Sequence, residues 1–212
     1  MLKINEIYFS IQGESSRAGL PCVFVRLTFC NLRCSYCDTE YAFYEGNDYS
    51  IDETISRIKN FGCKLVEITG GEPLMQIESL DLMKKLCDLN FDVMIETGGS
   101  LPINNIDPRV MIIMDIKCPS SGMMKKNLYG NIQFLKNNDE VKFVIGSRED
   151  YEWSKEIISK YELNKKCSVL FSVVFGLLEP ITIVNWILED KLDVRFQLQM
   201  HKIIWHPETK GV

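Results

Sequence analysis

Apolar residues gather into short β-branched and aromatic runs at CVFVRLTF (22–29), LVEIT (65–69), FDVMIE (91–96) and VMIIMDI (110–116). Three more follow at EVKFVI (140–145), SVLFSV (168–173) and VRFQLQ (194–199). The runs are continuous rather than alternating, as expected for strands covered on both faces of a parallel sheet. Between them the period changes. SIDETISRIKNFG opens with Ser50, carries Glu53 three residues on and stops at Gly62, which predicts a helix entered through a capping box. QIESLDLMKKLCDLN sets Ile77, Leu80, Met83 (or Leu82) and Cys87 on one stripe. Segments 149–162 and 180–190 read the same way, with Pro180 near the start of the latter. This alternation predicts an α/β fold with right-handed crossovers: one domain over residues 1–212, a partial, open TIM-like β/α barrel of six or seven mostly parallel strands.

The unusual residues fall in a consistent place on that map. CNLRCSYC follows the run 22–29, GGEP (70–73) follows 65–69, TGGS (97–100) follows 91–96, and KCPSSG (117–122) follows 110–116. Each cluster stands just past the carboxyl end of a predicted strand, where parallel α/β folds assemble their sites. Core packing alone would not sort them to one edge, so the sequence predicts one composite site.

Composition narrows the setting. Hydrophobic residues make up 46% and charged residues 25% of the 212-residue chain, an ordinary globular balance. No run has the length to cross a bilayer. In MLKINEIYF the acidic Glu6 interrupts any signal-like region, so no membrane and a cytoplasmic location are expected. A net charge of −5 argues against a nucleic-acid partner, which calls for concentrated Lys and Arg, but leaves room for an anionic small molecule. Eight cysteines in a reducing compartment are not expected to form disulfides. Cys22, Cys63, Cys87, Cys118 and Cys167, scattered among apolar neighbours, read as small buried hydrophobes.

The other three stand together. Cys30, Cys34 and Cys37 have the spacing C-x₃-C-x₂-C. Structural zinc wants four ligands in paired elements, and His201 and His206 match no such spacing. An iron–sulfur cluster takes one cysteine per iron, so three cysteines leave one iron with an open position. The spacing, with Tyr36 just before the third cysteine, resembles the signature of the radical S-adenosylmethionine enzymes. GGEP at Gly70, Gly71, Glu72 and Pro73 resembles that family's second motif, which meets the methionyl amino group.

A narrower resemblance covers nearly the whole chain. FSIQGES (9–15), FVRLTFCNLRCSYCDT (24–39), EITGGEP (67–73), ETGG (96–99), DIKCPSSGM (115–123), EVKFVI (140–145) and QLQMHKIIW (197–205) are similar to the 7-carboxy-7-deazaguanine synthases. That resemblance implies a carbon–nitrogen lyase of queuosine and deazapurine biosynthesis. It implies contraction of 6-carboxy-5,6,7,8-tetrahydropterin to 7-carboxy-7-deazaguanine and ammonia by an adenosyl radical, with no side chain carrying the bond-making step. The implied cofactors are a 4Fe-4S cluster on Cys30, Cys34 and Cys37, S-adenosyl-L-methionine, and Mg²⁺ on Thr39.

The resemblance also distributes roles. Tyr36, Asp38, Gly70, Gly71, Glu72, Thr97, Lys117, Ser120, Ser121 and Ser172 would face S-adenosylmethionine. An N-terminal segment with Gln12, Gly13 and Glu14 would read the pterin. Arg26, Thr69 and His201 would complete the substrate site, and a C-terminal tail ending at Val212 would fold over it. Amide and carboxylate groups suit a donor/acceptor edge, and a guanidinium suits a carboxylate. For Arg26 the alternative is an internal salt bridge. For Thr69 it is simple β-propensity, and for His201 a structural role. A homodimer and an electron donor such as flavodoxin or ferredoxin are further expectations. Ser15, Gly98 and Val173 depart from the family pattern, where glycine, asparagine and proline are common. Two other readings stay open at this point: an activase that installs a glycyl radical on a partner protein, and a metal-binding module without catalysis.

Overall fold

The structure is a computed structural model that describes residues 1–212. Nine strands form one sheet in the order β3-β1-β2-β4-β5-β6-β7-β8-β9. The parallel part comprises β2 (Pro21–Leu27), β4 (Leu65–Gly70), β5 (Asp92–Thr97), β6 (Met111–Asp115), β7 (Glu140–Ile145), β8 (Ser168–Val173) and β9 (Arg195–Phe196). These match the seven runs expected, although the last is only two residues long. The other two strands correct the expectation of six or seven. β1 (Leu2–Ile11) pairs antiparallel with β2, and β3 (Asn47–Tyr49) pairs antiparallel with the start of β1. β1 carries Lys3, Asn5, Glu6 and Ser10 among its apolar residues. β3 is short and polar, as edge strands commonly are.

The helices cover one face. α1 (Ile51–Asn60) is entered through Ser50, whose Oγ accepts from the Glu53 amide at 3.2 Å while Glu53 Oε2 accepts from the Ser50 amide at 2.7 Å. A box of this kind stabilises a helix by about 1 kcal/mol. The stripe of α2 (Glu78–Asp88) differs from the one expected. Ser79, Leu82, Met83, Leu86 and Cys87 are buried, whereas Ile77 precedes the helix and is 68% exposed. α3 (Arg148–Tyr161) and α4 (Pro180–Asp190) lie where the periodicity places them, and α5 (His201–Ile204) is a single turn. Between β6 and β7 the chain makes only short 3₁₀ turns, including Pro119–Ser121. The covering layer is thinner there than in a complete barrel.

Side chains alternate across the parallel strands. Val23, Val25, Ile68, Ile95, Ile112, Val141 and Phe143 join the large core under the helices. Cys22, Phe24, Leu65, Met94, Met111 and Ile113 form a smaller apolar cluster on the opposite, inner face. Further along the same face stand Arg26, Glu67, Thr69, Glu96, Asp115 and Lys142, all lining one cavity. Of the five scattered cysteines four are buried; Cys63 is half-exposed, with its Sγ 3.2 Å from the Pro21 carbonyl.

The sheet does not close, since β3 and β9 are its edges. The loop after β1 crosses the open side. Ser15 N donates to Gln197 Oε1 at 2.8 Å, Ser16 N to Glu140 Oε1 at 3.0 Å, and Met200 N to the Gly13 carbonyl at 2.9 Å. No helix is long and apolar enough to cross a membrane.

Candidate active site

β2 ends at Leu27, and two residues later Phe29 takes a left-handed φ of 78°, a conformation that costs a non-glycine residue about 1 kcal/mol or more. The surroundings impose it. The Phe29 amide donates to the Ala42 carbonyl at 3.0 Å, and its carbonyl accepts from Glu72 N at 2.7 Å. The turn presents Cys30 to the cavity. Cys34 and Cys37 follow, fixed by Ser35, whose amide donates to the Ser121 carbonyl and whose hydroxyl donates to the Ser120 carbonyl.

The GGEP segment lies against this loop because it has no side chains in the way. Gly70 has φ 144°, and a Cβ there would run into the Leu27 backbone. A Cβ on Gly71 would meet Phe29 and Cys30. Only glycine fits such an approach. Glu72 is fully buried and already satisfied. It accepts from Leu74 N (3.1 Å), Gly98 N (2.8 Å) and the Thr97 hydroxyl (2.9 Å). It therefore braces the GGEP and TGGS loops, and the free acceptor expected of it is not offered.

The cavity measures about 740 Å³ and opens at the carboxyl ends of the parallel strands. It brings together Cys30, Cys34, Cys37, Tyr36, Asp38 and Thr39 from the cysteine loop, with Thr69, Gly70, Gly71 and Thr97 from the next two. Lys117 joins them from beyond β6, and Gln12, Gly13, Glu14, Arg26, His201 and Val212 form the rest of the expected set. Four expected residues do not reach it. Besides Glu72, Ser120 is bound to Asp150, Ser121 Oγ donates to the Cys118 carbonyl at 2.6 Å, and Ser172 is buried with its hydroxyl unpartnered.

Charge inside the cavity is tightly paired. Lys142 Nζ lies 2.9 Å from Glu14 Oε2, in closer contact with Glu96, and 3.9 Å from Asp115. Burial works against its charge, but the three carboxylates hold the ammonium well above its ordinary value. Lys117 Nζ pairs with Asp115 at 2.8 Å. There too burial is opposed, by Asp115 and Cys34, and the ammonium is held high. Arg26 Nε meets Glu6 at 2.8 Å, and Nη2 donates to the Tyr8 hydroxyl at 2.9 Å. The internal salt bridge therefore exists, and the guanidinium still faces the cavity. Gln12 is also engaged inside the chain. Its Nε2 donates to Glu67, and its Oε1 accepts from Glu14 N at 3.0 Å. Each amide atom thus spends one of its two hydrogen-bonding positions inside the chain, and Gln12 keeps the second N–H and the second lone pair as a residue lining the cavity. Glu14 takes further bonds from Gln199 at 3.0 Å and Gln197 at 3.4 Å.

The donor set fits an iron–sulfur cluster. Three thiols, none in a disulfide, stand on one wall of a cavity. Three cysteines that each serve a different iron would leave a fourth iron open. Burial pushes the thiols up, Cys34 to about 11, so thiolate formation there depends on the metal's own positive charge.

A parallel, open α/β barrel that carries such a triad at its carboxyl edge defines a class of protein. The Radical SAM superfamily model matches residues 24–176, and the chain has that fold and that cysteine loop. Full-length relatives narrow the class. The chain is 49% identical to the 7-carboxy-7-deazaguanine synthase of Chlorobaculum tepidum, over all of this chain and 97% of that one. It is 46% identical to that of Koribacter versatilis over the whole of both chains. The chain belongs to the 7-carboxy-7-deazaguanine synthase family. Among solved structures, QueE from Escherichia coli superposes with a TM-score of 0.77 at 21% identity, covering 94% of each chain. SuiB of Streptococcus suis, bound to S-adenosylmethionine, shares the fold with a TM-score of 0.54 at 14% identity, over 80% of this chain and 44% of its own.

Several cavity residues escaped the sequence reading: Glu67, Glu96, Asp115, Lys142, Gln199 and Lys202. For Glu67, Glu96, Asp115 and Lys142 the signal was present as single charges inside otherwise apolar strands, in LVEIT, VMIETG, IIMDI and EVKFVI. A charge buried in that way needs a partner, and several such charges on one face partner each other.

Proposed function

We propose that this chain converts 6-carboxy-5,6,7,8-tetrahydropterin into 7-carboxy-7-deazaguanine and ammonia. One observation carries the reading. A single cavity joins the three cysteines to Glu14, Arg26 and His201, in a chain that matches 7-carboxy-7-deazaguanine synthases from end to end. Cys30, Cys34 and Cys37 would hold a 4Fe-4S cluster, and Gly70, Gly71, Thr97 and Lys117 would hold S-adenosylmethionine beside it. When bound, these groups supply hydrogen-atom abstraction at carbon. The chain's part is to seat the substrate. Arg26 offers the guanidinium edge not taken by Glu6 to a carboxylate. Glu14 is held ionised, since Lys142 and Gln199 outweigh burial, and offers acceptors to the amino-pyrimidinone edge. His201 closes the site from the other side, its ring neutral because burial depresses its basicity. Thr39, whose hydroxyl donates to Asp38 Oδ1 at 2.9 Å, offers its oxygen to Mg²⁺ alongside substrate oxygens and water. The setting we assign is a cytosolic homodimer reduced by flavodoxin or ferredoxin.

The test is anaerobic incubation of reconstituted protein with S-adenosylmethionine, a reductant and the carboxy-tetrahydropterin. A deazapurine product with release of ammonia is expected. An intact cluster with no such product would remove the assignment and leave the superfamily standing. Iron analysis separates the non-catalytic alternative: Cys34→Ala loses the cluster iron, whereas a single zinc per chain would overturn the reading.

A further inference from the structure

Glu67 belongs to β4 and turns into the cavity two residues below Thr69. Its register neighbours are Phe24 on β2 and Met94 on β5, which places it at the boundary between the polar upper cavity and the apolar floor. It is 3% exposed. Gln12 Nε2 donates to its Oε2. The other oxygen, Oε1, makes no hydrogen bond within the chain and is not among the sealed, unpartnered atoms of the core. Since Glu67 lines the cavity, Oε1 opens into it. Through this bond Gln12 positions Glu67.

We propose that Glu67 reads the substrate, its carboxylic acid donating a hydrogen bond from Oε1 to an acceptor atom of a neutral heterocycle seated beside Phe24. The proposal rests on the pterin reading above and adds a contact that the sequence did not disclose. The amide nitrogen of Gln12 can only donate, so it claims Oε2 as an acceptor and leaves the acidic proton to Oε1. The stacked Tyr8 and Phe24 rings, 4.9 Å apart at 10°, give the adjoining wall a flat apolar face suited to a planar ring system.

The charged surroundings favour the acid form. Facing Glu67 are Tyr8 from β1, Cys22 from β2, Glu96 from β5, Lys142 from β7 and Glu14 from the crossing loop. Burial, then Glu96, push the Glu67 carboxyl up to about 8, with Glu14 adding to them against Lys142 and Gln12. Tyr8 and Cys22 titrate far above neutrality. Glu14 is held low, and Glu96 is raised by burial. Because Glu96 is raised beside Glu67, a substitution at Glu67 is what separates the two carboxyls.

The experiment measures affinity for 6-carboxy-5,6,7,8-tetrahydropterin by anaerobic equilibrium dialysis, using reconstituted wild type, Glu67→Gln and Glu67→Leu, with iron content and circular dichroism as controls. Glu67→Gln keeps a donor and is expected to stay within about threefold of wild type. Glu67→Leu is expected to bind about ten- to a hundredfold more weakly. Wild-type affinity should fall as pH rises through about 8, and that of Glu67→Gln should not. Unchanged binding by Glu67→Leu overturns the proposal, as does a wild-type pH profile in Glu67→Gln. Wild-type binding without deazapurine product removes the reaction assignment alone, the variants still deciding the role of Glu67. No binding by wild type removes both.

Discussion

Lys202 Nζ stands 2.5 Å from Asp38 Oδ2, a contact between residues 164 apart in the chain. Asp38 directly follows the third cysteine and Lys202 directly follows His201, so this pair joins the cysteine loop to the wall that closes the substrate side. Burial alone would raise the Asp38 carboxyl, but Lys202 and the Thr39 hydroxyl hold it well below the usual carboxylate range. Its contribution is thus complete above the ordinary aspartate pKa and is lost only as pH falls through the depressed value. Lys202→Met is expected to raise KM for the pterin by about three- to tenfold through misplacement of the two walls, with iron content unchanged. The ratio of mutant to wild-type KM should stay flat between roughly pH 6 and 9. A ratio that changes within that range would show that Asp38 is not held ionised.

Lys142 is the cation that Glu14 and Glu96 share, while Asp115 pairs more closely with Lys117. Replacing it with Met leaves Glu14 and Glu96 facing each other without a cation, and removal of a buried charge partner costs about 3–5 kcal/mol. The sign with pH follows from the carboxyls. Without the ammonium their folded-state pKa values rise, so the penalty is small where they are protonated in both states and grows as pH increases. Urea unfolding at about pH 5 and pH 8 should show the larger deficit at pH 8. Adding Glu96→Gln should recover part of it. Equal deficits at both pH values would place the cost in packing and not in charge.

How far the sequence discloses this molecule differs by layer. The parallel strands were legible because each is covered on both faces and reads as an apolar run, as in SVLFSV over Ser168–Val173. β1 was not, because its antiparallel pairing leaves one face partly wet and mixes Lys3, Asn5 and Glu6 into the pattern. β3 is three polar residues defined only by pairing with β1. At the site, the cysteine loop was legible from its spacing, and GGEP from its place after the next strand and its resemblance to the family's second motif. The internal contacts of Glu72 and Gln12 were not, because they reach residues from distant segments, Thr97 and Gly98 for Glu72 and Glu67 for Gln12. Glu67 and Lys142 show the complementary failure: the apolar run drew attention and the one charge inside it did not.

Thr39 is half-buried on the cavity wall two residues after Cys37, with its hydroxyl proton directed to Asp38 and its lone pairs free. A single hydroxyl binds Mg²⁺ weakly, so the ion depends on substrate oxygens to complete its shell. Thr39→Val preserves shape and removes the donor. Turnover is expected to fall by about tenfold at saturating Mg²⁺, a loss of roughly 1.4 kcal/mol in the barrier. Removal of Mg²⁺ by chelation should slow the wild type and leave the variant unaffected. Equal sensitivity of both proteins to chelation would exclude Thr39 as the ligand.

Ser15 holds a left-handed φ of 65° at the point where the loop after β1 turns to cross the barrel's open side. Its amide donates to Gln197 and its Oγ accepts from Arg17 N at 3.1 Å. The family's usual glycine would take this conformation without strain, whereas a side chain costs about 1–2 kcal/mol there. Against that relief stand the lost hydroxyl contact, about 0.5–1 kcal/mol, and the greater freedom of glycine in the unfolded chain. Ser15→Gly is therefore expected to be slightly stabilising, raising Tm by about 1–3 °C. Ser15→Ala keeps the strain and loses the hydroxyl, so it should lower stability by roughly 1 kcal/mol. Opposite signs in the two melting curves identify backbone strain at Ser15, and a loss in both would show that the hydroxyl governs the turn.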